Sequence, residues 1–342
     1  MMDVAREAEC SQSSVSLVLN DVRDVRIGAD TRERIRRAAK KLGYKVSVRK
    51  ARGRASEDVI AFIIDRVATS PEAVVSIDGA RELAWENGAL VIVASTLNDP
   101  DLESRVYDYV LGHDVTGFIH ASIMTREVTV PDALVDRPAV LLNCYTSDRR
   151  LPSVVPGEVA GGHTATARLI RSGHRRIGFI NGEEWMEAAE DRFKGYRQAL
   201  ASADLPFDEE LYRAGDWQLH SGDVHTRSLM ALADPPTAIF CANDRMAVGC
   251  YQALASLGLR IPDDVSVIGY DDEEVARQLT PQLTTVVLPH REMGRWAVEY
   301  LFNHAHEPAS ERYPSVKLEC PLVERHSVAA PPRPRRGAQR GR

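Results

Sequence analysis

The stretch Asp3-Val4-Ala5-Arg6-Glu7-Ala8-Glu9-Cys10-Ser11-Gln12-Ser13-Ser14-Val15-Ser16-Leu17-Val18-Leu19-Asn20 decides how the rest of the chain is read. Val4, Ala5 and Ala8 fall at helical spacing, Glu9-Cys10-Ser11 breaks the period, and Val15, Val18 and Leu19 resume it. Two short helices around a tight turn are expected. Ser11 can cap the second, its hydroxyl accepting from an amide one turn in. The positions left facing outward, Gln12, Ser13, Ser14 and Ser16, are small hydrogen-bonding side chains, suited to the edges of bases in a DNA major groove. The period alone fits any helical hairpin equally well.

Downstream, a polar loop leads to a third amphipathic segment. Ile35, Ala38, Ala39 and Leu42 share one face over 29–42, Gly28 can cap it, and Lys40 and Lys41 lie in its last turn. The first 54 residues hold 14 Lys and Arg against 7 Asp and Glu, and the last twelve add five Arg, although the whole chain of 342 residues carries a net charge of −6. A basic head on an acidic body is the footprint of a nucleic-acid-binding module joined to something that is not one.

The hairpin resembles the N-terminal signature of the lactose-repressor (LacI) family of transcription regulators, D-V-A-x-x-A-G-V-S-x-x-T-V-S-R-V-L-N. Asp3, Val4, Ala5, Ala8, Ser11, Val15, Ser16, Val18, Leu19 and Asn20 match it, with Ser14 in place of Thr. Thr31 to Ile35 (T-R-x-R-I) and Gly43-Tyr44 recur in the same family. The resemblance implies a helix-turn-helix head over 1–44. Gln12 and Ser13 would read bases, and Leu17, where the family often has Arg, would touch an apolar base edge. Ser11, Ser14, Ser16, Asn20, Arg32 and Tyr44 would hold the backbone. Glu9 replaces the turn Gly and Cys10 a Val. The chain opens almost on the first helix, without the usual capping Thr, so that helix is expected to fray or the reading frame to begin upstream.

Residues 45–57, K-V-S-V-R-K-A-R-G-R-A-S-E, form a basic linker. In the family this hinge folds on DNA and wedges a Leu into the minor groove. Here Gly53 stands in that place, so Arg49, Lys50, Arg52 and Arg54 are expected to dock electrostatically, with little or no kink.

From Val59 the pattern changes to short apolar runs, at 59–65, 89–95, 117–121, 139–143, 176–181, 238–243 and 265–271, alternating with longer amphipathic ones. Runs rich in Val and Ile without polar alternation are buried on both faces, as in parallel sheets covered by helices. A doubly wound α/β core over 58–328 is expected. Polar residues end several of the strands: Asp65, Ser95, Asn143, Asn181, Asn243 and Asp271. Ligands of open parallel sheets bind beyond those ends, although each residue alone could simply cap the next helix.

The LacI resemblance extends through Ser172 to Ile177, Arg192 to Tyr196, Ala242 to Asp244, Ile261 to Asp272 and Leu283 to Val286. It implies two periplasmic-binding-protein-like subdomains around an effector cleft. By motif, Arg192, Asn243 and Asp271 correspond to effector contacts, Trp217 to an aromatic against the ligand's apolar face, and Asn143 to a position often held by Asp. Asp65, His120 and Trp185 are weaker candidates from position alone. A guanidinium with carboxylate and amide oxygens suits a sugar or other polyol.

No nucleotide-binding glycine motif, nucleophile elbow or H-E-x-x-H occurs, so catalysis, cofactor and metal are not expected. The five scattered cysteines suggest neither disulfides nor zinc. No apolar run reaches about 18 residues, and no signal peptide opens the chain. The 329–342 tail, rich in Pro, Gly and Arg, reads as disordered and lacks a leucine heptad run. The expectation is a cytoplasmic homodimeric regulator, a repressor, that binds a pseudo-palindromic operator and a sugar-like effector. A sugar-transport receptor and a sugar enzyme are the rivals.

Overall fold

A computed structural model describes Glu7, Ala8, Cys10, residues 29–41, 58–67 and 71–304, Ser310 and residues 312–332. Its contacts divide the chain into two compact units, Met1–Glu57 and Asp58–Arg342. In the first, helix α1 (Ala29–Lys41) buries Ile35, Ala38 and Ala39, and Lys41 Nζ reaches Glu7 Oε1 at 2.6 Å.

The second unit holds two six-stranded sheets. Strands β1 (Asp58–Ile64), β2 (Ala89–Ser95), β3 (Gly117–Glu127), β4 (Ala139–Tyr145), β5 (Ser153–Pro156) and β11 (Ser315–Leu318) run parallel in the order β11-β5-β4-β3-β1-β2. The other sheet is ordered β12-β10-β9-β8-β6-β7, from β6 (Ile177–Ile180), β7 (Tyr212–Arg213), β8 (Ala238–Cys241), β9 (Ser266–Asp271), β10 (Thr284–Val287) and β12 (Leu322–Val323), with β12 antiparallel.

Strand β1 shows why its residues form a central strand. Ile60, Phe62 and Ile64 face helices α2 (Pro71–Glu86) and α9 (His290–His304), whereas Ala61 and Ile63 face α3 (Pro100–Leu111). Neither face sees solvent, which the continuous apolar run demanded. Burial of each large side chain such as Phe62 contributes roughly 1.5–3 kcal/mol. In the second lobe, helices α4 (Glu158–Arg171), α5 (Glu187–Ser202), α6 (Leu219–Met230), α7 (Asp244–Ser256) and the short α8 (Glu274–Gln278) flank the sheet around Phe179, Phe240 and Ile268.

Three helix pairs cross backbone to backbone. A Cβ on Gly79 would lie 2.1 Å from Arg291 O, and one on Gly294 2.0 Å from Ser76 O, where α2 meets α9. Gly162 and Gly195 play the same parts between α4 and α5, at 2.4 Å from Arg192 O and 2.2 Å from Val159 O. Gly222 and Gly249 do so between α6 and α7, at 2.0 Å from Met246 O and 1.9 Å from Leu219 O.

The chain passes between the lobes at three places: after β5, after β10 and after β11. Gly157 N donates to Leu318 O at 2.7 Å, tying the first passage to the third. Ala329, which composition places in the tail, is bonded to folded residues: its carbonyl lies 2.9 Å from His174 Nε2 and its amide donates to Ser266 Oγ at 3.0 Å.

Candidate effector cleft

The close α4–α5 crossing brings Glu158, first residue of α4, against Arg192 of α5. Arg192 Nε donates to Glu158 Oε2 at 2.9 Å and Nη2 to Oε1 at 3.0 Å, a two-pronged ion pair; Nη1 donates to the Ala242 carbonyl. Nη2 also stands 3.3 Å from Asp271 Oδ1. The guanidinium lies 3.7 Å over the Tyr270 ring and 5.4 Å from that of Trp217, and Arg192 is only 3% exposed. Burial works against the charge, but the Glu158 carboxylate paired with it holds the guanidinium firmly protonated.

Asp271 ends β9 with φ 109, and Trp217 follows Asp216 with φ 65. Both are left-handed conformations that cost of order 1–3 kcal/mol and persist only where packing dictates them. Trp217 Nε1 donates to Met186 Sδ at 2.9 Å. Asn243 caps α7, its Oδ1 accepting from Met246 N at 2.9 Å, and its Nδ2 donates to Trp217 O at 3.1 Å. Its amide is therefore engaged by the protein on both sides. Arg192, Trp217, Asn243 and Asp271 form one contiguous wall.

In the first lobe, Asp65 leaves β1 and accepts from Arg66 N at 2.8 Å, Ile123 N at 3.0 Å, Ser122 Oγ at 2.9 Å and Arg126 Nη2 at 3.1 Å. Asn143, with φ 57, accepts from Thr125 Oγ1 at 2.7 Å and donates to Ser122 O at 3.0 Å. Ser122 thus joins the two. His120 turns to the α3 side, where Nδ1 is bonded to the Tyr107 hydroxyl; burial lowers its pKa to about 4, so the ring is neutral. It is packed as a core histidine. Trp185 is 69% exposed.

Three carboxylates meet across the lobes: Glu72 in the first turn of α2, Asp271 and Glu273 offer oxygens within 4.8 Å of one another. Burial, more than any charge, pushes Asp271 well above the usual carboxylate range, with Arg192 pulling the other way; burial likewise raises Glu273. Tyr145 of β4 adds a hydrogen bond from the first lobe to the second, donating to Glu187 Oε1 at 2.8 Å.

Sequence reasoning passed over Glu158, Tyr270, Gly182 and Glu72. A glutamate in the first turn of a helix reads as an ordinary response to the helix dipole, and nothing in the sequence signals a partner 34 residues away. Of the residues expected on DNA, Arg32 lies on α1; Ser11, Gln12, Ser13, Ser14, Ser16, Leu17, Asn20, Tyr44, Arg49, Lys50, Arg52 and Arg54 lie outside the described residues.

Two parallel-sheet lobes joined by three passages, with polar strand ends facing one cleft, define a core of the periplasmic-binding-protein type. Residues 166–328 match a periplasmic binding protein-like domain, and residues 1–47 match the bacterial regulatory proteins of the lacI family. The ribose operon repressor of Haemophilus influenzae is 30% identical over 328 residues, covering 96% of this chain and 98% of the relative. A LacI-family transcriptional regulator from Rhizobium etli superposes with a TM-score of 0.74 at 31% identity, covering 80% of this chain and 100% of that one. The regulator CelR in complex with cellobiose gives 0.67 at 30% identity, over 95% and 98%. The chain belongs to the LacI family of transcription regulators. Among the described residues, no helix is long and apolar enough to cross a membrane.

Proposed function

We propose that the protein is a cytoplasmic repressor whose operator affinity is set by a sugar-like effector bound between the lobes. The carrying observation is the joining of a LacI-type head, over 1–47, to a core whose cleft wall gathers Arg192, Trp217 and Asp271. One relative is named for a ribose operon and one structural neighbour holds cellobiose, which supports a polyol ligand. Asp271 and Asn143 supply acceptors, Trp217 an apolar ring, and Arg192 backs the wall; Asp65 orders the first lobe's rim through Ser122, Ile123 and Arg126, Asn243 fixes Trp217, and His120 packs inside the first lobe against α3. The effector favours one inter-lobe angle over another, a shift of population and not a reaction. Gln12, Ser13 and Leu17 select bases, while Arg32 and the linker cations hold phosphates.

A second copy completes the operator-binding unit. Strand β2 is the edge of its sheet and exposes Leu90, Ile92 and Val93, and α2 beside it exposes Val74, Val75 and Trp85, the last at 73%. An exposed apolar edge of this kind calls for a covering partner.

The test is fluorescence anisotropy on DNA from upstream of the protein's own reading frame and on scrambled DNA, at about 150 mM salt. A specificity ratio of about a thousand or more, altered by one member of a sugar panel, is expected. Equal and salt-sensitive binding to both DNAs would refute regulation by this head. Turnover of any panel sugar would instead favour an enzyme.

A further inference from the structure

An arginine in a ligand cleft is ordinarily the group that would welcome a carboxylate or phosphate, because its planar fork matches two oxygens. In this cleft three of its five N–H groups are already engaged by the protein, Nη2 also stands 3.3 Å from Asp271 Oδ1, and the residue is almost wholly buried. Nε and Nη2 are directed at the two oxygens of Glu158, at 2.9 and 3.0 Å, and Nη1 at the Ala242 carbonyl. One face of the guanidinium is covered by Tyr270 at 3.7 Å. Glu158 itself is 3% exposed, as is Arg192, so neither partner can be replaced by water without opening the wall.

The remaining hydrogen-bonding capacity of the second lobe's wall is of the opposite kind. Asp271 Oδ1 and Asn181 Oδ1 are buried acceptors without a hydrogen bond, Arg192 standing near the first as a charge, and Glu273 Oε1 faces Arg245 Nε at 3.2 Å. Glu72, from the first lobe, brings a further carboxylate to within 4.8 Å of Asp271 and Glu273. An acidic ligand entering here would have to displace Glu158 from Arg192 and would bring its charge against carboxyl groups, Asp271 and Glu273, whose own ionisation burial already opposes. A ligand rich in hydroxyl or amine hydrogens meets neither obstacle.

We propose that Glu158 is a specificity-determining residue of the cleft: by holding Arg192 in a two-pronged pair it withdraws the guanidinium from the ligand and restricts the effector to donor-rich compounds without an acidic group. The proposal rests on the reading of the cleft as an effector site. Glu158 acts through Arg192 and is a positioning residue. Its place at the first passage between the lobes makes the pair part of the joint as well as part of the wall.

The test compares wild type with Glu158→Gln and Glu158→Ala, each checked for cooperative thermal unfolding. Two kinds of probe are used at constant ionic strength: inorganic sulfate, and matched neutral and acidic sugars (ribose with ribose 5-phosphate, glucose with glucuronate), read by calorimetry. Wild type should show no saturable response to sulfate, and should bind the acidic member of any productive pair at least about a hundredfold more weakly than the neutral one. In the variants a saturable sulfate response should arise, and the acid-to-neutral discrimination should fall at least about tenfold. Should the Ala variant fail to fold, the Gln variant, which keeps the volume, decides the matter. Saturable sulfate binding by wild type, a wild-type preference for an acidic sugar, or unchanged discrimination in folded Glu158→Gln would each overturn the proposal. A sulfate response confined to the variants, with no sugar bound by any of them, would refute the polyol reading of the cleft while upholding the hold of Glu158 on Arg192.

Discussion

Gly182 lies beneath the Trp217 indole so closely that a Cβ on it would stand 1.9 Å from ring atom Cζ2. The ring owes its position to that missing methyl group, to the hydrogen bond from Nε1 to Met186 Sδ, and to Asn243, which grips the Trp217 carbonyl. Gly182→Ala should therefore expel the indole from the wall without disturbing the core. The intrinsic fluorescence spectrum should shift, and affinity for whichever sugar proves active should fall at least about tenfold. Retained affinity with a shifted spectrum would remove Trp217 from the effector site.

The Arg192–Glu158 pair sets a stability expectation distinct from its role in selectivity. Removing one partner of a buried ion pair leaves the other charged in an apolar surround, at a cost of about 3–5 kcal/mol. Arg192→Leu should lose about that much in urea unfolding. Converting both residues, Arg192→Leu with Glu158→Leu, should recover a large part of it. A double variant no more stable than the single one would show that the lost packing on Tyr270, and not the orphaned carboxylate, dominates.

His120 predicts a dependence on pH. Its folded pKa is about 4 against an ordinary 6.5, because burial disfavours the charged ring. Its contribution is fully present above about pH 6.5 and is lost as the pH falls towards 4, since only the unfolded chain takes up the proton in that window. His120→Gln should thus lose stability less steeply than wild type between these limits, by about 1.4 kcal/mol per pH unit. Parallel curves would place the ring's true pKa near its ordinary value. His290, held near 4 by the same cause, supplies a similar slope that persists in both proteins.

The apolar edge at β2 gives a prediction about assembly. Ile92 is 43% exposed in a sheet-edge strand. Ile92→Lys should leave the monomer's thermal stability within about 0.5 kcal/mol, as an exposed position allows, yet convert a dimer to a monomer in light scattering. A dimer that withstands the substitution would move the interface elsewhere.

Much of the fold was legible because β1, β4 and β8 are continuous apolar runs buried on both faces; the equally apolar run at 89–95 forms β2, which lies at the sheet edge and leaves Leu90, Ile92 and Val93 exposed, contrary to the expectation. Strands β7 and β12, of two residues each, are too short to carry a pattern, and in β5 (S-V-V-P) and β11 (S-V-K-L) polar or Pro residues interrupt the apolar run, so pairing defines them. Of the site, the strand-end residues Asp65, Asn143, Asn243 and Asp271 could be picked out, but not how their hydrogen bonds are spent. Asn243 is largely occupied in capping α7, and Asp65 in gathering Ser122, Ile123 and Arg126. His120 illustrates the other limit. Alternation along β3 fixes that it shares a face with Phe118, but only the placement of α3 shows that this face looks onto Tyr107. Glu158 was invisible because its meaning depends wholly on a helix crossing made possible by Gly162 and Gly195.

The three passages between the lobes carry a mechanical consequence. Two stiff plates strapped together by three neighbouring bands can swing or twist about the bands, but cannot slide or part. Glycine-tight helix crossings keep the plates stiff, so little of a displacement imposed at the cleft can be absorbed by soft packing within a lobe. Strand β1 spans its plate from Asp58, where the linker ends, to the threshold of the cleft at Asp65. A ligand that closes the gap by a small angle would therefore turn that whole strand as a lever, and its far end is where the chain departs for the basic head.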